Sequence, residues 1–446
     1  MEETISSRFL DSIWDFSNRD FPEEVLEQAK YCLIDYIGCT ALGASVLEER
    51  SKRFLSQFSR TGGNCVIFGT DMKSDVLTAA FLNGVHAHAI ELDDGHRFGM
   101  IHVGAVVNSA LLSAAQDQKA SGKDLLKGII VAYEAVIRLA SAIQPGHKLK
   151  AFHATGTCGT IGSAIGIAAM LHYDKKQWNA VLSAAATSAA GLLEMSDDSS
   201  QLKPYNIGHA AMAAVTAAYY SVSLLDGPSD ILGGDRGFFK ACAAEVREDR
   251  LFSNGYEIMK IYRKPYAACR HAHAPIEAAL KIMAEHSLNA KEINAIKIET
   301  YALALKGHSH KTIKNTDSAK MSIPYGVAAA IRYGKVNCEQ FFEECLNDEL
   351  LNEILEKITI SEDPELSALV PNKRAAKVTI SSNGNEYSCR VDDPLGEPEN
   401  PLSIEDLETK YFSLMAAAGK DRELSEEILN SIYNIDDKFD ALLSEI

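Results

Sequence analysis

The chain has 446 residues, 46% of them hydrophobic, and a formal net charge of −17. Such a length calls for about two or three domains, and the apolar share is enough for full cores. The acidic balance argues against a general nucleic-acid binder or a protein that adheres to anionic lipid, although a local basic pocket stays possible.

Nine cysteines (Cys32, Cys39, Cys65, Cys158, Cys242, Cys269, Cys338, Cys345, Cys389) are scattered without a CxxC pair, and MEETISSRFL is not a secretory signal pattern. Both features read as a cytoplasmic protein with free thiols. The longest apolar runs, 155–171 and 210–225, are rich in Ala, Gly, Ser and Thr. They read as buried helix rather than membrane span.

From the N-terminus to about residue 258 the text is helix after helix. PEEVLEQAKYCLIDYIGCTALGA places Pro22 and acidic residues before apolar positions at three and four spacing. Ala-rich segments follow: DVLTAAFLNGVHAHAI, VNSALLSAAQ, LLKGIIVAYEAVIRLASAI, WNAVLSAAATSAAGLLE and HAAMAAVTAAYYSVSLL. Their small residues let helix backbones approach closely. No repeat of about 34 or 40 residues marks a solenoid.

After Ile258 the texture changes. EINAIKIETYALAL alternates apolar and polar residues, and AAKVTISSNGNEYSCRVDD reads as two strands joined at an Asn-Gly turn. IPYGVAAAIRYG and QFFEECLNDELLNEILEKI read as helices between them. Beyond PLGEPENPLS the text is helical again. The expected fold is mainly α with an α+β insertion. A large all-helical domain is built from both chain ends, 1–258 and 396–446, with a smaller α+β lid over 259–395. The cleft between such domains would be a natural pocket.

The sequence has no P-loop, no HExxH and no GxSxG elbow. Gly156, Gly159 and Gly162 in GTCGTIG have the wrong spacing for a dinucleotide fingerprint, so close helix packing is their expected role. His86 with His88, and His271 with His273, could suggest metal. On a helix, though, positions i and i+2 face different sides, so no metal is expected.

The densest chemistry is HAHAIELDDGHRFGMIHVGA, residues 86–105, where Glu91, Asp93, Asp94, His96, Arg97 and His102 fall between two apolar helices. Buried ionisable groups are costly unless paired or used. Helix caps and surface ion pairs are the plainer explanation. The functional one gains from recurrence: His153, Lys203 and Lys264, with Arg270 nearby, stand in distant segments, each beside Pro or Gly and an apolar helix. Together they suggest an anion-accepting pocket.

HAIELDDGHRFGMIHVGA, AFHATGTCGTIGSA, LKPYNIGHAA, RKPYAACRHAHAPIEAAL, SIPYGVAAAI and GEPENPLSIEDL, in that order and spacing, resemble the MmgE/PrpD family nearly end to end. That family includes 2-methylcitrate dehydratase, cis-aconitate decarboxylase and iminodisuccinate epimerase. The resemblance implies a helical domain with an inserted lid and an active site without cofactor or metal. It further implies a small di- or tricarboxylate substrate and a homodimer formed through the helical domain.

Carried over position by position, it implies catalytic roles for His102, His153, Asp93 and Asp94. Lys203, Lys264, Glu91, Arg270 and Tyr325 would bind substrate. The family often reads Asp-x-Asp-Asp-Thr where this chain has Glu91-Leu92-Asp93-Asp94-Gly95, and Ile323 stands where the decarboxylase branch has a tyrosine. Dehydration, decarboxylation and epimerisation all stay open, with a non-catalytic carboxylate-binding protein as the alternative class. The lysines would hold carboxylates and stabilise an enediolate-like anion, the two histidines would move the proton, and an aspartate would orient a histidine or protonate a leaving hydroxyl.

Overall fold

The computed structural model describes residues 3–57, 62–196, 200–223 and 226–446. After a first helix at Ile5–Ser17, the helices that frame the site are α1 (Glu23–Val46), α2 (Val76–His88), α3 (Gly104–Gln118), α4 (Gly122–Ile143), α5 (Ala154–Met170) and α6 (Lys203–Ser221). Their starts follow the sequence. Pro22 precedes α1, and Asp75 caps α2 by accepting from the Leu77 and Thr78 amides. The run expected to reach Leu225 ends as helix at Ser221, and Leu224 and Leu225 lie outside the described residues.

Helix α5 is the centre of this part, and every one of its residues is buried. A helix apolar all round has no solvent face and packs on every side. It lies against α4, α6 and α3. Its glycines make the approach close, as the sequence suggested. A Cβ on Gly162 would fall 2.3 Å from Val136 Cγ2, and one on Gly166 would fall 2.5 Å from Ala132 Cβ. Helices α2 and α6 meet the same way, since a Cβ on Gly84 would be 2.9 Å from the Gly208 Cα.

The α+β part contains α7 (His273–Glu285), α8 (Ile323–Tyr333) and four strands: β1 (Ile293–Thr300), β2 (Ile358–Glu362), β3 (Ala376–Ser382) and β4 (Asn385–Val391). The sheet order is β2-β1-β3-β4, with β1–β2 parallel and the other pairs antiparallel. Strand β3 alternates strictly between buried and half-buried residues, which puts one face on the core. Asn383 and Gly384 join β3 to β4 with φ of 51° and 79°. Two positive φ values give the hairpin a turn matched to strand twist.

One sequence reading is corrected here. QFFEECLNDELLNEILEKI is not one helix. It breaks into a 3-10 turn (Cys338–Phe341) and two short helices (Glu343–Leu346, Glu349–Glu356), and then runs into β2.

The chain ends with helices α9 (Ile404–Ala417), α10 (Arg422–Tyr433) and Ile435–Glu445. By compactness the described residues form two units. One spans Met1–Glu194, Leu202–Ile261 and Ser403–Ile446, and the other takes Tyr262–Leu402 with residues 195–201. No helix among the described residues is long and apolar enough to cross a membrane.

Candidate active site

The loop between α2 and α3 is built to hold charge out of water. Glu91, Asp93, Asp94, His96 and Arg97 are all buried. Glu91 takes a left-handed backbone (φ 57°), uncommon for a residue with a long side chain, and this turns the chain back immediately after α2. A short bridge between His96 and Ile101 closes the far end.

Asp94 starts α3. Its Oδ1 accepts the Gly104 amide at 2.7 Å, and its Oδ2 accepts the Tyr133 hydroxyl at 2.7 Å. Gly104 has to be glycine, because a Cβ would lie 2.9 Å from both carboxylate oxygens and 2.7 Å from Tyr133 Oη. Burial pushes the Asp94 pKa up to about 6, with Asp35 nearby adding to it while the two hydrogen bonds pull it down. Its carboxylate therefore braces the loop and does not orient a histidine. Its main-chain carbonyl does that, 3.2 Å from His102 Nδ1.

A carbonyl only accepts, so Nδ1 of His102 carries the proton and Nε2 is left as the exchanging position. Asp93 Oδ2 lies 3.4 Å from the same Nδ1, and Glu91 Oε1 lies 3.6 Å from Nε2. The His102 amide is tied to Thr155 Oγ1 at 3.1 Å, joining the loop to the first turn of α5.

His88, at the end of α2, is a residue for which sequence reasoning finds no role beyond a discounted metal ligand. Its Nδ1 is 2.9 Å from both Asp93 oxygens, and its Nε2 makes an ionic contact of 3.2 Å with Glu91 Oε2. The His88 and His102 rings are 4.6 Å apart, edge to face. Burial lowers the His88 pKa, but the Asp93 and Glu91 charges outweigh it and the net direction is up. Asp93 is the mirror case. Burial raises its pKa, and the His88 and His102 charges pull it well below the ordinary value. The signal for His88 was in the text: carboxylates stand three and five residues after it, where the chain leaves the helix.

The other two histidines of the segment are structural. His86 Nε2 is 2.7 Å from Ser51 Oγ, and burial pushes its pKa down to about 4. His96 Nδ1 accepts the Gly99 amide at 3.1 Å.

Lys203 opens α6 and places its Nζ 2.6 and 2.7 Å from the two Glu91 oxygens. Its charge is thus met by a carboxylate of the protein itself. His153 caps α5 with its carbonyl, and its own amide bonds to Gly191 O at 3.1 Å. Its Nδ1 is 3.4 Å from Asn206 Nδ2. Burial, the Lys203 ammonium and the neighbouring histidines hold its pKa well below the usual value, so it is a neutral imidazole. With Asn206 donating to Nδ1, the His153 proton sits on Nε2.

Glu91, Asp93, Asp94, His102, His153 and Lys203 thus come together in the first unit. Lys264, Arg270 and Tyr325 belong to the second. Lys264 is fully buried there. Arg270 is paired with Glu397 at 2.6 Å and stacks over the Tyr262 ring. The Tyr325 hydroxyl donates to the Gln340 carbonyl at 2.7 Å, and Ile323 is buried two residues before it.

Donor atoms of His88, Glu91 and His102 lie within 4.8 Å of one another, close enough for a metal ion. The Lys203 ammonium already supplies the positive charge at Glu91, so a cation entering there would have to displace it.

Two family profiles match in sequence. The MmgE/PrpD N-terminal domain covers residues 8–248 and the MmgE/PrpD C-terminal domain covers residues 266–434. Among curated relatives, a cis-aconitate decarboxylase of Aspergillus terreus is 25% identical over 94% of this chain and 90% of its own. The Homo sapiens cis-aconitate decarboxylase is 26% identical over 99% of this chain and 94% of its own. A 2-methylcitrate dehydratase of Salmonella typhimurium is 24% identical over 83% of this chain and 81% of its own.

Proposed function

The chain belongs to the MmgE/PrpD family, and on that premise we propose that it is a lyase of the dehydratase or decarboxylase type acting on a small tricarboxylate. The observation that carries the reading is the cluster of buried His88, Glu91 and Asp93 with half-buried His102 and Lys203. Asp93 faces Nδ1 and Glu91 faces Nε2 of both imidazoles, while a sixth group, His153, stays neutral nearby.

In the proposed scheme His102 Nε2 exchanges the proton at the carbon beside a substrate carboxylate. It is suited to this because its ring is the more exposed of the His88–His102 pair, at 13%. His153 Nε2–H donates to the oxygen on which charge develops, which a neutral N–H does without first losing a proton. His88 sits between Asp93 and Glu91, whose charges raise its pKa, and its own charge in turn lowers that of Asp93. Lys203 fixes the Glu91 carboxylate beside both imidazoles.

Loss of a β-hydroxyl with a proton yields an alkene and water. Loss of a carboxylate as carbon dioxide followed by protonation yields the decarboxylated acid. Both outcomes need only proton transfer and charge stabilisation, so the proposed scheme uses no cofactor.

The test is to incubate chelated, dialysed protein with cis-aconitate and with 2-methylcitrate in deuterium oxide, following product and deuterium by NMR. Turnover of either acid is the expected result, and His102→Asn is expected to lower kcat by about 100-fold or more. Wild-type turnover in that variant removes His102 from the scheme. Tight binding of the acids with no turnover and no exchange favours a carboxylate-binding protein instead.

A further inference from the structure

The second unit holds a group of side chains that the lyase scheme does not use. Donor atoms of Cys269, His271 and His308 all lie within 4.8 Å of one another. The Cys269 thiol is 3.9 Å from His308 Nε2, and the two imidazole rings are 5.0 Å apart.

The backbone holds two of the three on one short stretch. The Cys269 amide donates to the Lys320 carbonyl at 2.9 Å, and the Ile323 amide donates to the His308 carbonyl at 2.9 Å. His308 Nδ1 is 3.0 Å from the Met321 carbonyl. Since that carbonyl only accepts, the proton is on Nδ1, and the Nε2 lone pair faces the sulfur. His271 Nδ1 in turn hydrogen-bonds the Tyr301 hydroxyl at the end of β1. Each imidazole thus has one nitrogen fixed by a neighbour, the arrangement that orients metal-ligating histidines. The neighbouring HAHA partner His273 does not take part, as its Nε2 bonds to the Ala268 carbonyl.

We infer that Cys269, His271 and His308 form a binding site for a divalent transition metal of the zinc type. One sulfur and two imidazole nitrogens suit tetrahedral zinc. Bond lengths of about 2.0–2.3 Å place ligand atoms roughly 3.3–3.8 Å apart in a tetrahedron, so the group closes by about an ångström on binding. Cys269 and His308 are partly exposed, which lets an ion enter and leaves a fourth position for water or a ligand. The site cross-links the 269–271 segment to the 308 loop. It stands outside the proposed proton-transfer steps, so metal removal leaves them intact.

The experiment uses the full chain, stripped with chelator under reducing conditions and dialysed against zinc, with metal measured by mass spectrometry. One retained equivalent is expected. Substituting cobalt should give a near-ultraviolet thiolate-to-metal charge-transfer band. Cys269→Ser, nearly isosteric, should abolish that band, and Cys269→Ser and His308→Gln should each weaken zinc affinity by at least tenfold. Circular dichroism melts without metal establish that the variants are folded. Glu91→Gln should bind zinc as the wild type does. No retained zinc, no charge-transfer band, affinity unchanged by Cys269→Ser, or loss of zinc in Glu91→Gln would each overturn the assignment.

Discussion

Replacing Lys203 with methionine isolates the ion pair that anchors the candidate site. The side chain keeps nearly its length and apolar stem but loses the ammonium, leaving the Glu91 carboxylate without the two contacts at 2.6 and 2.7 Å. The pair is well shielded, with side-chain exposures of 17% for Lys203 and 5% for Glu91. Removing one partner of a buried pair costs about 3–5 kcal/mol, because the other charge stays buried and uncompensated. His88 Nε2 at 3.2 Å remains beside Glu91 and offsets part of this. The expected loss is therefore near the lower end, about 3 kcal/mol.

The double variant Glu91→Gln/Lys203→Met removes both charges and should recover most of that loss. Urea denaturation of the wild type, both single variants and the double variant closes the cycle. A Lys203→Met protein within about 0.5 kcal/mol of wild type, or a double variant no more stable than Lys203→Met, refutes the assignment of Lys203 as the buried counter-charge of Glu91.

Other expectations concern the frame around the site. Asp94 has a folded pKa of about 6 against an ordinary 3.8, so the fold holds its proton more tightly than the unfolded chain does. Its contribution to stability therefore falls as pH rises through that window, by roughly 3 kcal/mol in all, and is flat above it. Asp94→Asn should remove this slope from a pH series of melts; an unchanged slope would place the carboxylate in a more solvated setting. Gly208→Ala should cost about 1–3 kcal/mol by overpacking, because its Cβ would lie 2.4 Å from the Phe81 carbonyl oxygen. The same substitution should lower activity by shifting the start of α6, and wild-type melting would contradict this close approach. Gly384→Ala should destabilise the second unit by about 1 kcal/mol, since φ there is 79°. Proteolysis at the β3–β4 turn would report it, and unchanged resistance would argue against a left-handed turn.

What could be read from the text depended on how local the cause was. Asn383-Gly384 between alternating runs determines its own backbone, and the hairpin was legible. The glycines of GTCGTIG were legible as packing residues because spacing alone excludes the nucleotide motif. Strand β2 was not. Leu351, Ile354, Leu355 and Ile358 keep a helical apolar spacing up to the strand, and only Ile358 of β2 is buried, so no alternation marks it. Its pairing with β1, more than fifty residues earlier, has no local signature.

At the site, the charged loop after α2 was legible as a cluster, but the division of labour within it was not. Asp94 serves Gly104 and Tyr133, a partner from another helix, and His88 serves Asp93 only because Glu91 turns the chain left-handed. Arg270 and Tyr325 look like ligand-binding residues in sequence, yet Arg270 gives its Nε and Nη2 to Glu397, leaving Nη1 without a hydrogen bond among the described residues, and the Tyr325 hydroxyl meets the Gln340 carbonyl.

The complete burial of α5 bears on motion at the site. A helix with no solvent-facing stripe cannot fray sideways, so its amides should exchange hydrogen only through opening of the first unit as a whole. His153, seated at the start of that helix, inherits its stiffness. His102 itself is held by one hydrogen bond from its amide to Thr155 Oγ1 and one from its Nδ1 to the Asp94 carbonyl. The proposed proton-transfer pair therefore joins one partner fixed in the slowest-exchanging segment to one carried on a loop, and adjustment to a bound acid falls on His102.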